Sequence, residues 1–221
     1  MEVSYDFSTE IRNKNVKYRK WKVKDKKKFL NNRKDKHLIR EALVFDCIED
    51  KKLALSDEEY KFMLTQIRNV SVSDPISYTF VCNYCEKDFN FDLDLENNLR
   101  PVFKEYGDII SGDHIFTMNS IRSREHYEQI ILNSENDDEK IIVDFILHVK
   151  SYNDSDGLSF EDLNQIIDNL DVNDFDSIFK QWEDMRFKLN NVSDVECPHC
   201  NNVESFEFDS LPGFFPESWN I

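Results

Sequence analysis

Ile76-Ser77-Tyr78-Thr79-Phe80-Val81-Cys82-Asn83-Tyr84-Cys85-Glu86-Lys87-Asp88-Phe89-Asn90-Phe91-Asp92-Leu93-Asp94-Leu95 reads as strand, turn, strand. Ile76, Tyr78 and Phe80 alternate with polar residues before the cysteines. Phe89, Phe91, Leu93 and Leu95 alternate with Asn90, Asp92 and Asp94 after them. A period of two marks a half-buried strand. The C-x-x-C turn between the strands points two sulfurs at one place. The pattern returns near the other end: Val195, then Cys197-Pro198-His199-Cys200, then Val203, Phe206 and Phe208, with Glu207 and Asp209 facing the other way. Two such turns supply four thiolates, the shell of a closed tetrahedral zinc site.

Glu86 to Glu196, 111 residues, lie between the pairs, where about 15–20 would be usual. If Cys82, Cys85, Cys197 and Cys200 share one structural Zn2+, the intervening chain must leave the hairpins and return. The expected fold is therefore α+β: a split zinc ribbon with N-terminal strands and helices and a long helical insert. Its expected parts are 1–99, basic and ending in the first knuckle; 100–190, the helical insert; and 191–221, the second knuckle and an aromatic tail. The competing readings of the cysteines are a disulfide pair and reduced, metal-free thiols. Disulfides fit less well, because no signal peptide is evident and a reducing cytoplasm is expected. His199 lies inside its turn between two better ligands and reads as a solvated residue.

Composition narrows the function classes. The chain has 18 phenylalanines and only four glycines. Neither GxxxxGK[ST] nor GxGxxG occurs, so a glycine-rich phosphate loop is not expected, and GxSxG and HExxH are absent too. No apolar run approaches the roughly 18 residues of a membrane span. Residues 1–40 carry a net +9 and the remainder −25. A basic head beside so acidic a body is expected to meet the body or an acidic protein rather than nucleic acid.

The remaining segments yield an ordinary domain. Val3, Tyr5 and Phe7 suggest a first strand, and Val16 to Val23 a second, joined across Thr9 to Asn15. Asp25 looks like the cap of a short helix, and 37–48 reads as one helix with Cys47 as a small buried residue. Ser56-Asp57-Glu58-Glu59 is a capping box. Arg100-Pro101 breaks a strand, and 115–121 is short and extended. Helices are expected over 123–132, 138–149, after Ser159, and over 174–189. Asn153-Asp154-Ser155-Asp156-Gly157 resembles a calcium loop. With Gly157 in the sixth position, however, Tyr152 and Leu163 stand where acids are required. A helix C-cap followed by an acidic turn is the better reading.

The order of these pieces resembles a known family. Lys17-Tyr18-Arg19-Lys20-Trp21-Lys22-Val23-Lys24-Asp25-Lys26-Lys27-Lys28-Phe29-Leu30 precedes a helix ending near Asp46-Cys47. There follow Leu55-Ser56-Asp57-Glu58-Glu59-Tyr60-Lys61-Phe62-Met63-Leu64-Thr65-Gln66-Ile67-Arg68, the Val70 to Ile76 approach to the first C-x-x-C, and finally Cys197-Pro198-His199-Cys200 with Leu211-Pro212-Gly213-Phe214-Phe215. This series resembles the baseplate hub assembly proteins of T-even and related contractile-tailed bacteriophages. The resemblance implies a non-enzymatic assembly factor, chaperone or scaffold, or a minor hub subunit, with other hub proteins as partners. It places the protein in the host cytoplasm during assembly and in the virion tail. It carries over no catalytic residues. Expected contacts are the basic residues Lys17, Arg19, Lys20, Lys22, Lys24, Lys26, Lys27 and Lys28 and a docking tail with Phe214, Phe215 and Trp219.

The alternative is a nucleic-acid-binding zinc-ribbon protein. Glu86, Asp88, Asp92, Asp94, Glu204, Glu207 and Asp209 around the knuckles argue against it. An enzyme is not expected either, since four thiolates close a zinc shell and leave no position for water.

Overall fold

Arg12 and Asn13, both at positive φ (43° and 61°), close the first hairpin. It joins β1 (Phe7–Ile11) to β2 (Lys14–Tyr18), with Ile11 opposite Lys14. A two-residue turn with both φ positive matches the twist of its strands. The computed structural model describes residues 4–72, 76–93, 95, 100–121, 123–131, 136–190 and 192–207. The aromatic tail, with Phe214, Phe215 and Trp219, lies outside the described residues.

Helix α1 (Val23–Asn31) starts two residues before Asp25, so that residue is not its cap. Asp25 occupies the third helical position, where its carboxylate accepts the Lys22 N–H at 2.7 Å and grips Arg19 through both oxygens at 2.6 and 3.0 Å. The Arg19 and Asp25 side chains are 3% and 1% exposed. Arg19 is thus an internal tie, not the surface contact expected from the basic run. Lys28, partly exposed, pairs with Asp46 at 2.9 Å. Lys17, Lys20, Lys22, Lys24 and Lys27 are exposed.

The single helix expected over 37–48 is two pieces. Helix α2 (Lys36–Arg40) runs into a π-helical turn, Glu41–Phe45, closed by the Asp46 N–H on the Glu41 carbonyl at 2.8 Å. Ala42, Leu43, Val44 and Phe45 are all buried, too many in succession for one face of an amphipathic helix. Cys47 is buried beside Asp25, and burial, followed by that carboxylate, pushes its thiol up to about 12. Helix α3 (Asp57–Ser71) carries the capping box read from sequence: Ser56 Oγ accepts the Glu59 N–H, and Glu59 accepts the Ser56 N–H.

Strands β3 (Ile76–Val81) and β4 (Asp88–Leu93) form the first cysteine hairpin. Beyond it, the insert expected to be mainly helical, with 115–121 extended, holds more strand than that. Arg100-Pro101 does not break a strand but begins β5 (Arg100–Val102). Strands β6 (Asp108–Ser111), β7 (His114–Met118), β8 (Val149–Tyr152) and β9 (Ser155–Asp156) make a four-stranded antiparallel sheet. The acidic turn at 153–157 is a hairpin, with Asn153 and Asp154 at positive φ between β8 and β9, and no helix C-cap. Helices α4 (Arg124–Ile131), α5 (Asp137–His148), α6 (Phe160–Asp168) and α7 (Val172–Met185) complete the segment. Ser159 caps α6, and Asp171 caps α7. The β6–β7 turn reaches α7: Gly112 is at φ +54°, where a side chain would be strained, and a Cβ there would lie 3.3 Å from Asp174 Oδ1, so that Asp174 would have to shift slightly.

The chain leaves α7 through β10 (Lys188–Asn190), which pairs antiparallel with β5: Lys188 opposes Val102 and Asn190 opposes Arg100. The ends of the long excursion are hydrogen-bonded together, which returns the chain to its starting point. Strands β11 (Val192–Glu196) and β12 (Val203–Glu207) then form the second cysteine hairpin. The two cysteine hairpins are separate two-stranded sheets and do not merge into one.

Three cores matter. The head buries Val16, Tyr18, Leu43, Phe45, Met63 and Ile67 with Phe187. The insert buries Ile109, Phe116, Phe145, Ile178 and Trp182. The hairpins rest on Ile76, Leu93 and Leu95, with Trp21 and Leu64 shared with the head. Arginines join head and insert. Arg12 bonds Glu59, the Lys104 carbonyl and the Met185 carbonyl, and stacks 4.0 Å from the Tyr106 ring centroid. Arg40 bonds Asp57 and Glu128 over the Tyr60 ring. Arg124 meets Glu41 over Phe45. Among the described residues, no helix is long and apolar enough to cross a membrane.

Candidate metal centre

Each cysteine turn is built the same way. In the first, the Glu86 N–H donates to the Cys82 carbonyl at 2.9 Å and the Cys82 N–H to the Lys87 carbonyl at 3.1 Å. In the second, Asn201 and Cys197 repeat both bonds at 2.8 Å, to the carbonyls of Cys197 and Asn202. The residue after each second cysteine is left-handed: Glu86 and Asn201 both have φ 58°. That reversal lets the strand resume after both thiols have turned to one side. Asparagine tolerates the region; glutamate is strained there.

The four sulfurs converge. Their Sγ atoms all lie within 4.8 Å of one another. Cys82 and Cys200 are 3.6 Å apart, and Cys85 and Cys197 3.7 Å. A tetrahedral ion with sulfur ligands at about 2.3 Å has sulfur–sulfur edges of about 3.8 Å, whereas a disulfide needs about 2.05 Å. All four cysteines are free thiols. The donor set therefore fits a divalent, thiophilic ion, and all four residues singled out from the sequence sit together.

Electrostatics at the cluster are uneven. Burial raises the Cys197 thiol, but the backbone N–H groups of His199 and Cys200 outweigh it and bring Cys197 down to about 7. The Asn202 N–H favours the Cys200 thiolate, yet desolvation and the three neighbouring thiols push Cys200 up to about 12. Sulfurs this close ionise together only if a cation balances them.

Contacts between the hairpins hold the turns in register. Glu204 accepts the Asn83 N–H at 2.9 Å and also the Asn83 side-chain amide. The His199 Nε2–H donates to the Asp88 carbonyl at 3.2 Å, a contact from the second turn to the first hairpin. Below the cysteines, the Phe80 and Phe206 rings meet edge to face, 4.6 Å between centroids. The pairing of Asn83 with Glu204 was invisible in the sequence, since 121 positions separate them and each reads as an ordinary surface residue.

A family model described as T4 bacteriophage base plate protein matches residues 2–216. No curated protein and no solved structure matches the chain.

Proposed function

The chain belongs to the T4 bacteriophage base plate protein family, and from that premise we propose that it is a non-enzymatic assembly factor for, or minor subunit of, the central hub of the baseplate. One structural Zn2+ held by Cys82, Cys85, Cys197 and Cys200 staples its two hairpins. The observation that carries the reading is the reach of the family match, which takes in the head, the insert and both cysteine turns. Four thiolates close a zinc shell, so the metal serves architecture rather than catalysis.

The partners are other baseplate proteins. Exposed Lys17, Lys20, Lys22, Lys24 and Lys27 offer a contact to an acidic one. A nucleic-acid role has less support, since acidic residues such as Glu86, Asp88 and Glu204 flank the cysteine turns. Mass spectrometry of purified particles and of infected-cell lysate, with elemental analysis of the purified protein, tests the proposal. Abundance in particles marks a hub subunit; presence in lysate with baseplate intermediates but absence from particles marks an assembly chaperone. A protein that associates with neither particles nor intermediates sinks the reading, and a protein without zinc sinks the metal assignment.

A further inference from the structure

We propose that the aromatic face of the first cysteine hairpin is the docking surface for the protein's own C-terminal segment, residues 208–219, which crosses it as a strap. The tail expected to dock on a partner then docks on its own chain.

The register of the hairpin builds the face. Ile76 stands opposite Leu93, Tyr78 opposite Phe91 and Phe80 opposite Phe89, so all six side chains share one side of the sheet. The other side carries Ser77, Thr79, Asn90 and Asp92, all exposed. At the base, Ile76 and Leu93 are 1% and 4% exposed and pack with Trp21 and Leu64 of the head. Toward the cysteine tip, the four rings are half-buried. The second hairpin brings one phenylalanine to this face, Phe206. Its ring lies 4.6 Å from that of Phe80 and 5.9 Å from that of Tyr78, both on β3. On β4, the ring contacts of Phe89 and Phe91 among the described residues are to Phe80 of the same hairpin, at 5.8 and 6.0 Å. The β4 side of the face therefore has room for further apolar cover.

The path of the chain names the cover. Strand β12 ends at Glu207, one residue past Phe206, so the chain leaves the described part beside this face. Period two puts Phe208 on the side of Phe206. Leu211-Pro212-Gly213 then stops a strand and favours a turn, and Phe214-Phe215 follows it. The 14 residues 208–221 can span about 45 Å at ~3.3 Å per residue, more than twice the roughly 20 Å of a six-residue strand. Residues 210–216 carry no charge in a chain of net charge −16, which suits them to an aromatic surface. A tethered segment also meets its target at an effective concentration on the order of millimolar, ahead of a partner in solution.

Photo-crosslinking of the full-length protein tests this, with benzoylphenylalanine in place of Phe91 and the metal content of each sample measured. The expected product joins position 91 to a peptide from 208–219, has the mass of one chain and persists on dilution. A product with the mass of two chains assigns the tail to a second copy and overturns the strap. So does a cross-link formed only to other parts of the chain, or a tail captured only by a baseplate protein. The independent variant is Phe214→Ala with Phe215→Ala in the full chain. Amide exchange in β4 should become about tenfold faster, as for lost aromatic packing, with β6 and β7 of the insert and the metal content unchanged. Unaltered exchange in β4 overturns the proposal. Should the variant at Phe91 fail to fold, the alanine pair alone decides.

Discussion

The cysteine hairpins bury three residues at their base, Ile76, Leu93 and Leu95, whereas the insert's principal core buries ten, Trp182 and Phe145 among them. Two-stranded hairpins are marginal in water without added support. The insert has a core of ordinary size and its ends tied by β5 and β10. The difference teaches that the two regions call for different physics. The insert rests on apolar burial; the hairpins call for the proposed zinc crosslink at their tip.

The largest expected effect comes from removing the crosslink. Cys82→Ser or Cys200→Ser should strip the zinc, whose binding to a structural site is worth on the order of 10 kcal/mol. Hydrogen-exchange protection should vanish in β3, β4, β11 and β12 while the insert core keeps its own. Equal loss in both regions would mean that the comparison is false. The converse is Trp182→Ala, which should cost about 3–5 kcal/mol by opening a cavity in the insert and leave the zinc content unchanged. Elemental analysis and denaturant unfolding together read that outcome.

The junction between regions gives an intermediate effect. Arg40→Ala removes one of three basic partners of Glu128, whose side chain is 3% exposed and still meets His37 at 2.9 Å and Arg124 at 3.7 Å, and should cost about 2 kcal/mol, as for a lost hydrogen bond to a charged group. Limited proteolysis should then cut between head and insert sooner than in the parent. A smaller change of opposite sign is expected of Glu86→Gly. Glutamate at φ 58° is strained, and glycine relieves about 1 kcal/mol there, so the melting temperature should rise with zinc retained. Cys47→Ser should be nearest to silent for the metal; loss of zinc in that variant would show that the fifth cysteine had been misread.

Local pattern was a good guide where one residue type answers one local need. Ser56 with Glu59 announced α3, Ser159 announced α6, and the alternation around Cys82 announced β3 and β4. It failed where a tertiary partner decided. Val149 to Tyr152 continues the apolar pattern of α5 but pairs with β7 as a strand. Arg100-Pro101 looked like a stop, yet it found β10 some 90 positions later. Arg19 looked like one cation in a basic run; only the fold set it against Asp25 and the Asp46 carbonyl.

By itself, the sequence determined the four candidate metal ligands, the strand-turn-strand form of both cysteine turns and the family resemblance, because spacing and alternation are local properties of the chain. The tertiary structure decided that the four sulfurs meet, that the insert carries its own sheet, and that Asn83 finds Glu204 across the hairpins. Those outcomes depend on contacts between residues far apart in the chain, from the 36 positions between Phe116 and Tyr152 to the 121 between Asn83 and Glu204, and no local pattern encodes which distant partner a side chain will meet.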